Sequence, residues 1–150
     1  MLIAVAEREL GDGLFERAAT VVSIRRRLNR LGYYCHLHLL GTGNPISIVV
    51  YAVCGADCFD GLEWCQTAVD YDTARLHHFV QWDLFSDQSK FHLGRGPYQA
   101  RVLIHNLGFY AQWLDRIRWG IRTKQWTGLL DEYLPKKAAN RIKRLIHDVA

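Results

Sequence analysis

The stretch Cys35-His36-Leu37-His38-Leu39-Leu40-Gly41-Thr42-Gly43-Asn44-Pro45 decides the fold class. A short apolar run that ends in a glycine-rich loop, with proline placed for the first turn of a helix, reads as a strand feeding a helix through a tight connection. The helix is predicted over residues 46–54, stopped by Gly55, and residues 56–59 read as the next strand. Upstream, residues 2–5 form another short apolar run, closed by Glu7 and by Gly11-Asp12-Gly13. Between residues 14 and 31, Ala18, Val21, Val22 and Leu28 recur at helical spacing. Arg17, Arg25, Arg26, Arg27 and Arg30 fall mostly on the other side, and Gly32 supplies a stop. Strand, helix, strand, helix, strand with short connections predicts parallel pairing, an α/β architecture.

Past Asp60 the pattern changes. Trp64, Phe79, Trp82, Phe85 and Phe91 punctuate an irregular stretch with one candidate strand near residues 76–85. Leu103, Leu107, Tyr110, Leu114, Ile117 and Ile121 then alternate spacings of four and three, which predicts a helix of about six turns whose apolar stripe must lie against something large. A last basic segment, with Lys136, Lys137, Arg141, Lys143 and Arg144, rides on a shorter helix with Ile142, Leu145, Ile146 and Val149 on its apolar face. The expected organisation is strand-helix units over residues 1–60, an aromatic-rich insertion over 61–96 and a helical region over 97–150.

With 150 residues, 49% hydrophobic and 23% charged, the composition is that of an ordinary globular domain and excludes disordered and fibrous classes. The net charge of +4 favours an anionic partner only mildly, so clustering of the cations matters more than their total. Cys35, Cys54, Cys58 and Cys65 form no CxxC pair and no framework, the pattern of reduced thiols in a cytoplasmic protein. The first apolar run is too short for a signal sequence and no later run approaches a membrane span, so no membrane partner is expected.

In parallel α/β folds ligands gather at the carboxyl ends of the strands. Three loops qualify, holding Glu7, residues 41–45 and Asp60. Each has an ordinary reading: Glu7 as a solvated strand end, Gly41-Thr42-Gly43 as a tight turn, Asp60 as the cap of a helix starting at Gly61. The functional alternative for the glycine loop is close backbone approach to a flat or anionic ligand at a helix N-terminus.

Read together, Ile-Ala-Val-Ala-Glu (3–7), Leu-Leu-Gly-Thr-Gly-Asn-Pro (39–45) and Gly-Ala-Asp-Cys-Phe-Asp (55–60) resemble, in order, three strand-end motifs of the guanine transglycosylases. Leu103-Ile104-His105-Asn106-Leu107 with Phe109-Tyr110 looks like the family's helix bearing a zinc-ligating histidine. Residues 61–66 depart from the tRNA enzymes and are closer to the DNA-modifying, DpdA-like branch.

The resemblance implies the C-terminal part of a TIM (β/α)8 barrel, with about three strands here, followed by a helical region. It implies a reaction in which guanine in DNA or tRNA is exchanged for a 7-deazaguanine base through a covalent glycosyl-aspartate, with Asp60 as nucleophile. Ile3, Ala4, Glu7, Leu40 and Gly41 match base-binding positions. Phosphate contacts give Arg25, Arg26, Lys136, Lys137 and Arg141 a role as nucleic-acid-binding residues. His105 matches the zinc ligand, but the cysteines expected shortly before it are absent from residues 87–101, and one imidazole does not hold zinc. The family's second catalytic aspartate lies in earlier barrel strands, so a complementary N-terminal barrel half, or self-association, is the implied partner. The alternative is a non-catalytic nucleic-acid-binding module or an inactive remnant of that family.

Overall fold

The computed structural model describes residues 1–89 and 96–147. Strands β1 (Leu2–Ala6), β2 (His36–Leu40) and β3 (Cys58–Phe59) form a parallel sheet in that order, with Ala6 beside Leu40 and Leu39 beside Phe59. Helices α1 (Gly13–Leu28) and α2 (Pro45–Val53) make the crossovers. Asn44 caps α2 by accepting the N–H groups of Ile46 and Ser47 at 3.0 and 3.2 Å, and Pro45 fills the first helical position, as the sequence predicts.

The register divides the sheet into two unlike faces, because neighbouring side chains alternate. Ile3, Val5, Leu37, Leu39 and Phe59 share one face and pack into the main core, where Leu37 and Leu39 are wholly buried. Leu2, Ala4, His36, His38 and Leu40 share the other. No helix covers it among the described residues: Leu2 is 53% exposed and Leu40 37%, with Ala4 and His36 exposed beside them. Parallel sheets are ordinarily covered on both faces, whereas here one face lies open among the described residues.

Beyond the sheet come α3 (Glu63–Gln66), a hairpin of β4 (Thr67–Asp70) and β5 (Arg75–His78), and then α4 (Tyr98–Arg122), α5 (Trp126–Tyr133) and α6 (Lys136–His147). The strand expected near residues 76–85 ends at His78, because a 3-10 segment (Phe79–Leu84) begins there. Its start is fixed by His78 and Gln81, which accept the Val80 and His78 N–H groups, and Trp82 anchors it in a small core with Ala68 and Val102. β4, at four residues, was too short to announce itself. Phe91, His92 and Val149 lie outside the described residues.

The predicted stripe on α4 matches the face that the helix buries only in part, with Ile117 common to both. Val102, His105, Asn106, Phe109, Trp113 and Ile117 are buried, whereas Leu107 is 51% and Ile121 41% exposed. α4 packs against α2, α3, β4 and α5, with Tyr110 and Leu114 of the stripe partly buried against the core and Leu107 and Ile121 left at its margin. α6 lies against α1 through Ala139 and Ile142, both fully buried, with the Arg141 guanidinium 4.2 Å from the centre of the Phe15 ring. Among the described residues no helix is long and apolar enough to cross a membrane.

Candidate active site at the carboxyl strand ends

The ends of β1, β2 and β3 bring Glu7, the 41–45 loop and Asp60 to one edge of the sheet. Asp60 follows β3 directly, and its own N–H donates to the Leu39 carbonyl at 3.3 Å, which ties its backbone to β2. Its Oδ1 accepts the Gly41 N–H at 2.7 Å, while Oδ2 lies 3.6 Å from His38 Nε2 on the uncovered face. The side chain is 56% exposed. One oxygen is therefore held by a backbone donor, and the other lies beside His38 on a side chain that is more than half exposed. Asp60 caps no helix: α3 starts three residues later, without a side-chain cap.

The glycine loop is not an anion cradle. Its Gly41 N–H is taken by Asp60, its Gly43 N–H by Glu63 Oε1 at 3.2 Å, and the first amides of α2 by Asn44. The loop also approaches Gly61 backbone to backbone: a β-carbon at Gly61 would sit 2.5 Å from the Gly43 nitrogen, so Gly61 has no room for a side chain. From the other side α4 pins the loop, with Tyr110 donating to the Gly43 carbonyl at 2.6 Å and Trp113 Nε1 to the Pro45 carbonyl at 3.0 Å.

Glu7 is neither solvated nor free. Its Oε1 accepts from Arg17 at 2.9 Å and Tyr51 at 3.1 Å, its Oε2 from buried Thr42 at 3.2 Å, and only 17% of the side chain is exposed. Burial pushes the Tyr51 phenol far up and the Glu7 carboxylate adds to the shift, so the tyrosine keeps its proton and serves as a donor. This network fixes the start of the glycine loop to β1 and α1. Ile3 and Ala4 are not at the strand end: they pair with Leu37 and His38 in the body of β1, and Ile3 faces the core. Leu40 and Ala4 do face the open side with Asp60's partner His38.

Arg25 is turned inward, against the expectation of a phosphate contact. It donates to the carbonyls of Gly55 and Cys35 at 2.7 and 2.9 Å and pairs with Asp57, which also accepts the Leu37 N–H and the Tyr34 hydroxyl. This cluster clamps the amino end of the sheet; the sequence signal was an aspartate directly before a strand opposite an arginine-rich helix. Arg26, Lys136, Lys137 and Arg141 are exposed, and α6, which carries the last three, packs on α1.

His105 is fully buried. Its Nε2 lies 2.7 Å from the Val69 carbonyl and so carries the proton, and Nδ1 has no partner. Among the described residues no three His, Cys, Asp or Glu side chains are grouped to hold a metal ion. The donors around His105 do not fit zinc. Burial holds its imidazole below the ordinary histidine value, against the opposing pull of the Val69 hydrogen bond and the Asp70 charge. The unfolded chain, with an ordinary value near ~6.5, takes up this proton first as pH falls. Stability is complete above that pH and drains away below it, toward the lowered folded value, by at most about 1.4 kcal/mol per pH unit. Urea unfolding at pH 7.5 and 5.5 should therefore show a smaller loss in His105→Gln than in the parent; equal losses would exclude the mechanism.

No protein-family model, curated protein or solved structure matches the chain. Its class is set by fold and site: a mixed α/β chain with a small parallel sheet, a helical C-terminal region, and the carboxylates of Glu7 and Asp60 held at the carboxyl strand ends.

Proposed function

We propose that the chain is the nucleophile-bearing C-terminal part of a guanine transglycosylase barrel, acting on guanine in DNA or tRNA once the remaining strands are supplied. The observation that carries this reading is Asp60 at the end of a parallel strand, with Oδ1 fixed by the Gly41 amide and Oδ2 open toward the uncovered sheet face. In the proposed reaction Oδ2 attacks the anomeric carbon, the glycosidic C–N bond breaks through an oxocarbenium-like state, and guanine departs with the bond's electron pair and takes up a proton. A 7-deazaguanine base, losing its N–H proton, then attacks the same carbon, and Asp60 leaves as carboxylate. Leu40, Ala4 and the Gly41 backbone line the approach to Oδ2, and Glu7 holds the loop rather than the base. The test is incorporation of labelled deazaguanine into a guanine-containing duplex or tRNA by the chain co-produced with the first five strand-helix units of a guanine transglycosylase. Incorporation above that of the five-unit half alone is expected; its absence in a soluble complex would refute the reading.

A second reading, a nucleic-acid-binding module without chemistry, is favoured by the exposed cations of α6. Lys136, Lys137, Arg141 and Arg144 are exposed there, while Ala139 and Ile142 on the opposite face are buried in the core. Changing Lys136, Lys137 and Arg141 to alanine should weaken duplex binding and lower the salt slope by roughly 2–3, measured by fluorescence anisotropy between 50 and 200 mM salt. An unchanged slope would remove these residues from any phosphate contact.

A further inference from the structure

The small core between the hairpin and the first turns of α4 gathers three polar atoms with no hydrogen-bond partner among the described residues. They are Trp82 Nε1, Arg101 Nε and His105 Nδ1, and all three are closed to solvent. Buried polar atoms are almost always bonded, so three orphans in one place call for a common cause. The side chains that carry them are neighbours. Arg101 and His105 stand one turn apart on α4, the Arg101 guanidinium carbon lies 5.0 Å from the centre of the Trp82 ring, and the Trp82 and His105 ring centres are 6.3 Å apart. Trp82 is 7% exposed and His105 is fully buried, and fully buried Ala68 and Val102 belong to the same small core as Trp82.

The hydrogen-bonding roles of these atoms are fixed by their chemistry. An indole N–H and a guanidinium N–H can only donate. His105 Nε2 faces the Val69 carbonyl at 2.7 Å, which can only accept, so Nε2 carries the proton and Nδ1 offers a lone pair. Neither donor reaches that lone pair directly. Whatever joins the three must accept twice and donate once. A metal cation fails, because two N–H donors and a guanidinium charge face it. An anion fails at the Nδ1 lone pair, and a larger polar molecule fails at the closed apolar wall. Water has two lone pairs, two O–H groups and the smallest volume of any species that meets the demand. The His105 ring is also packed unevenly, with its centre 4.6 Å from that of Tyr71 but 6.3 Å from that of Trp82, so the looser side is the one that the orphans share.

We propose that Trp82, Arg101 and His105 together hold one internal water molecule, which accepts from Trp82 Nε1 and Arg101 Nε and donates to His105 Nδ1. Three stranded groups cost more than immobilising a single water does, so occupancy is favoured. The water ties the 3-10 segment to α4 through Trp82. Beside it, the Tyr98 hydroxyl joins the same two elements by donating to the Phe79 carbonyl at 3.3 Å.

The test is NMR of the full chain carrying isotopically labelled tryptophan, with the Trp82 indole signal identified as the one lost in Trp82→Phe. The Trp82 indole proton is expected to show water cross-peaks of opposite sign in NOESY and ROESY spectra, the mark of a water that tumbles with the protein. Trp113, whose Nε1 donates directly to the Pro45 carbonyl at 3.0 Å, is the internal control and should show none. Arg101→Met keeps the apolar stem but removes the Nε donor, and should weaken the Trp82 cross-peaks at least about three-fold. Peaks of the same sign would mean an indole open to exchange with bulk solvent, and no peaks would mean a dry site or a direct bond from Trp82 to His105. Either result would overturn the proposal, as would peaks that Arg101→Met leaves unchanged. If Arg101→Met does not fold, the signs of the peaks in the unmodified chain decide alone.

Discussion

Asn106→Ala is expected to destabilise the protein by about 3–5 kcal/mol and to lower its thermal midpoint by roughly 10 °C. Asn106 is fully buried in the middle of α4. Its Oδ1 accepts the Val69 N–H at 3.1 Å, and its Nδ2 donates to the carbonyls of Trp64 and Thr67 at 2.7 and 2.6 Å. Alanine removes the partner of the buried Val69 N–H and of the part-buried carbonyls of Trp64 and Thr67, and each stranded group costs on the order of 1–3 kcal/mol. The damage should spread to the site, because α4 also carries Tyr110 and Trp113, which hold the glycine loop. Leu107→Ala, one position along on a half-exposed face, should cost less than about 1 kcal/mol. Denaturant melts of the two variants distinguish a polar clamp from general helix packing; equal losses would reject the clamp.

The second large effect concerns Asp60. In the proposed complex with another barrel half, Asp60→Asn should reduce the proposed base exchange on the order of 10³-fold or more, since an amide cannot form the glycosyl ester. The amide oxygen still accepts the Gly41 N–H, so the loop and the thermal midpoint should be nearly unchanged. Asp60→Glu retains the carboxylate but moves it by about one bond length, which for a positioned reactant costs about 10²-fold. Exchange that survives in Asp60→Asn would take this residue out of the mechanism.

Much of the fold was legible from local chemistry. The Asn44-Pro45 start of α2, the glycine loops and the three apolar runs each dictate their own conformation, and alternating strands and helices leave parallel pairing as the outcome. The reading of α4 as a regular stripe went astray because Asn106 and His105 are polar by type yet buried by partnership, which no hydropathy pattern registers. Arg25 misled for the opposite reason: a cation on a helix face reads as solvated until Gly55, Cys35 and Asp57 are brought to it by the fold. At the site, the convergence of Glu7, the loop and Asp60 followed from strand order. The destinations of the loop amides did not, since Glu63 and Asp60 reach them only through tertiary packing.

The central claim, that Asp60 takes the sugar covalently, is tested most directly by mass spectrometry of the completed complex incubated with a guanine-containing oligonucleotide and no incoming base. The expected result is an oligonucleotide adduct on this chain, mapping after digestion to Asp60 and discharged on addition of deazaguanine. Base exchange without such an adduct, or an adduct on any other residue, would contradict it.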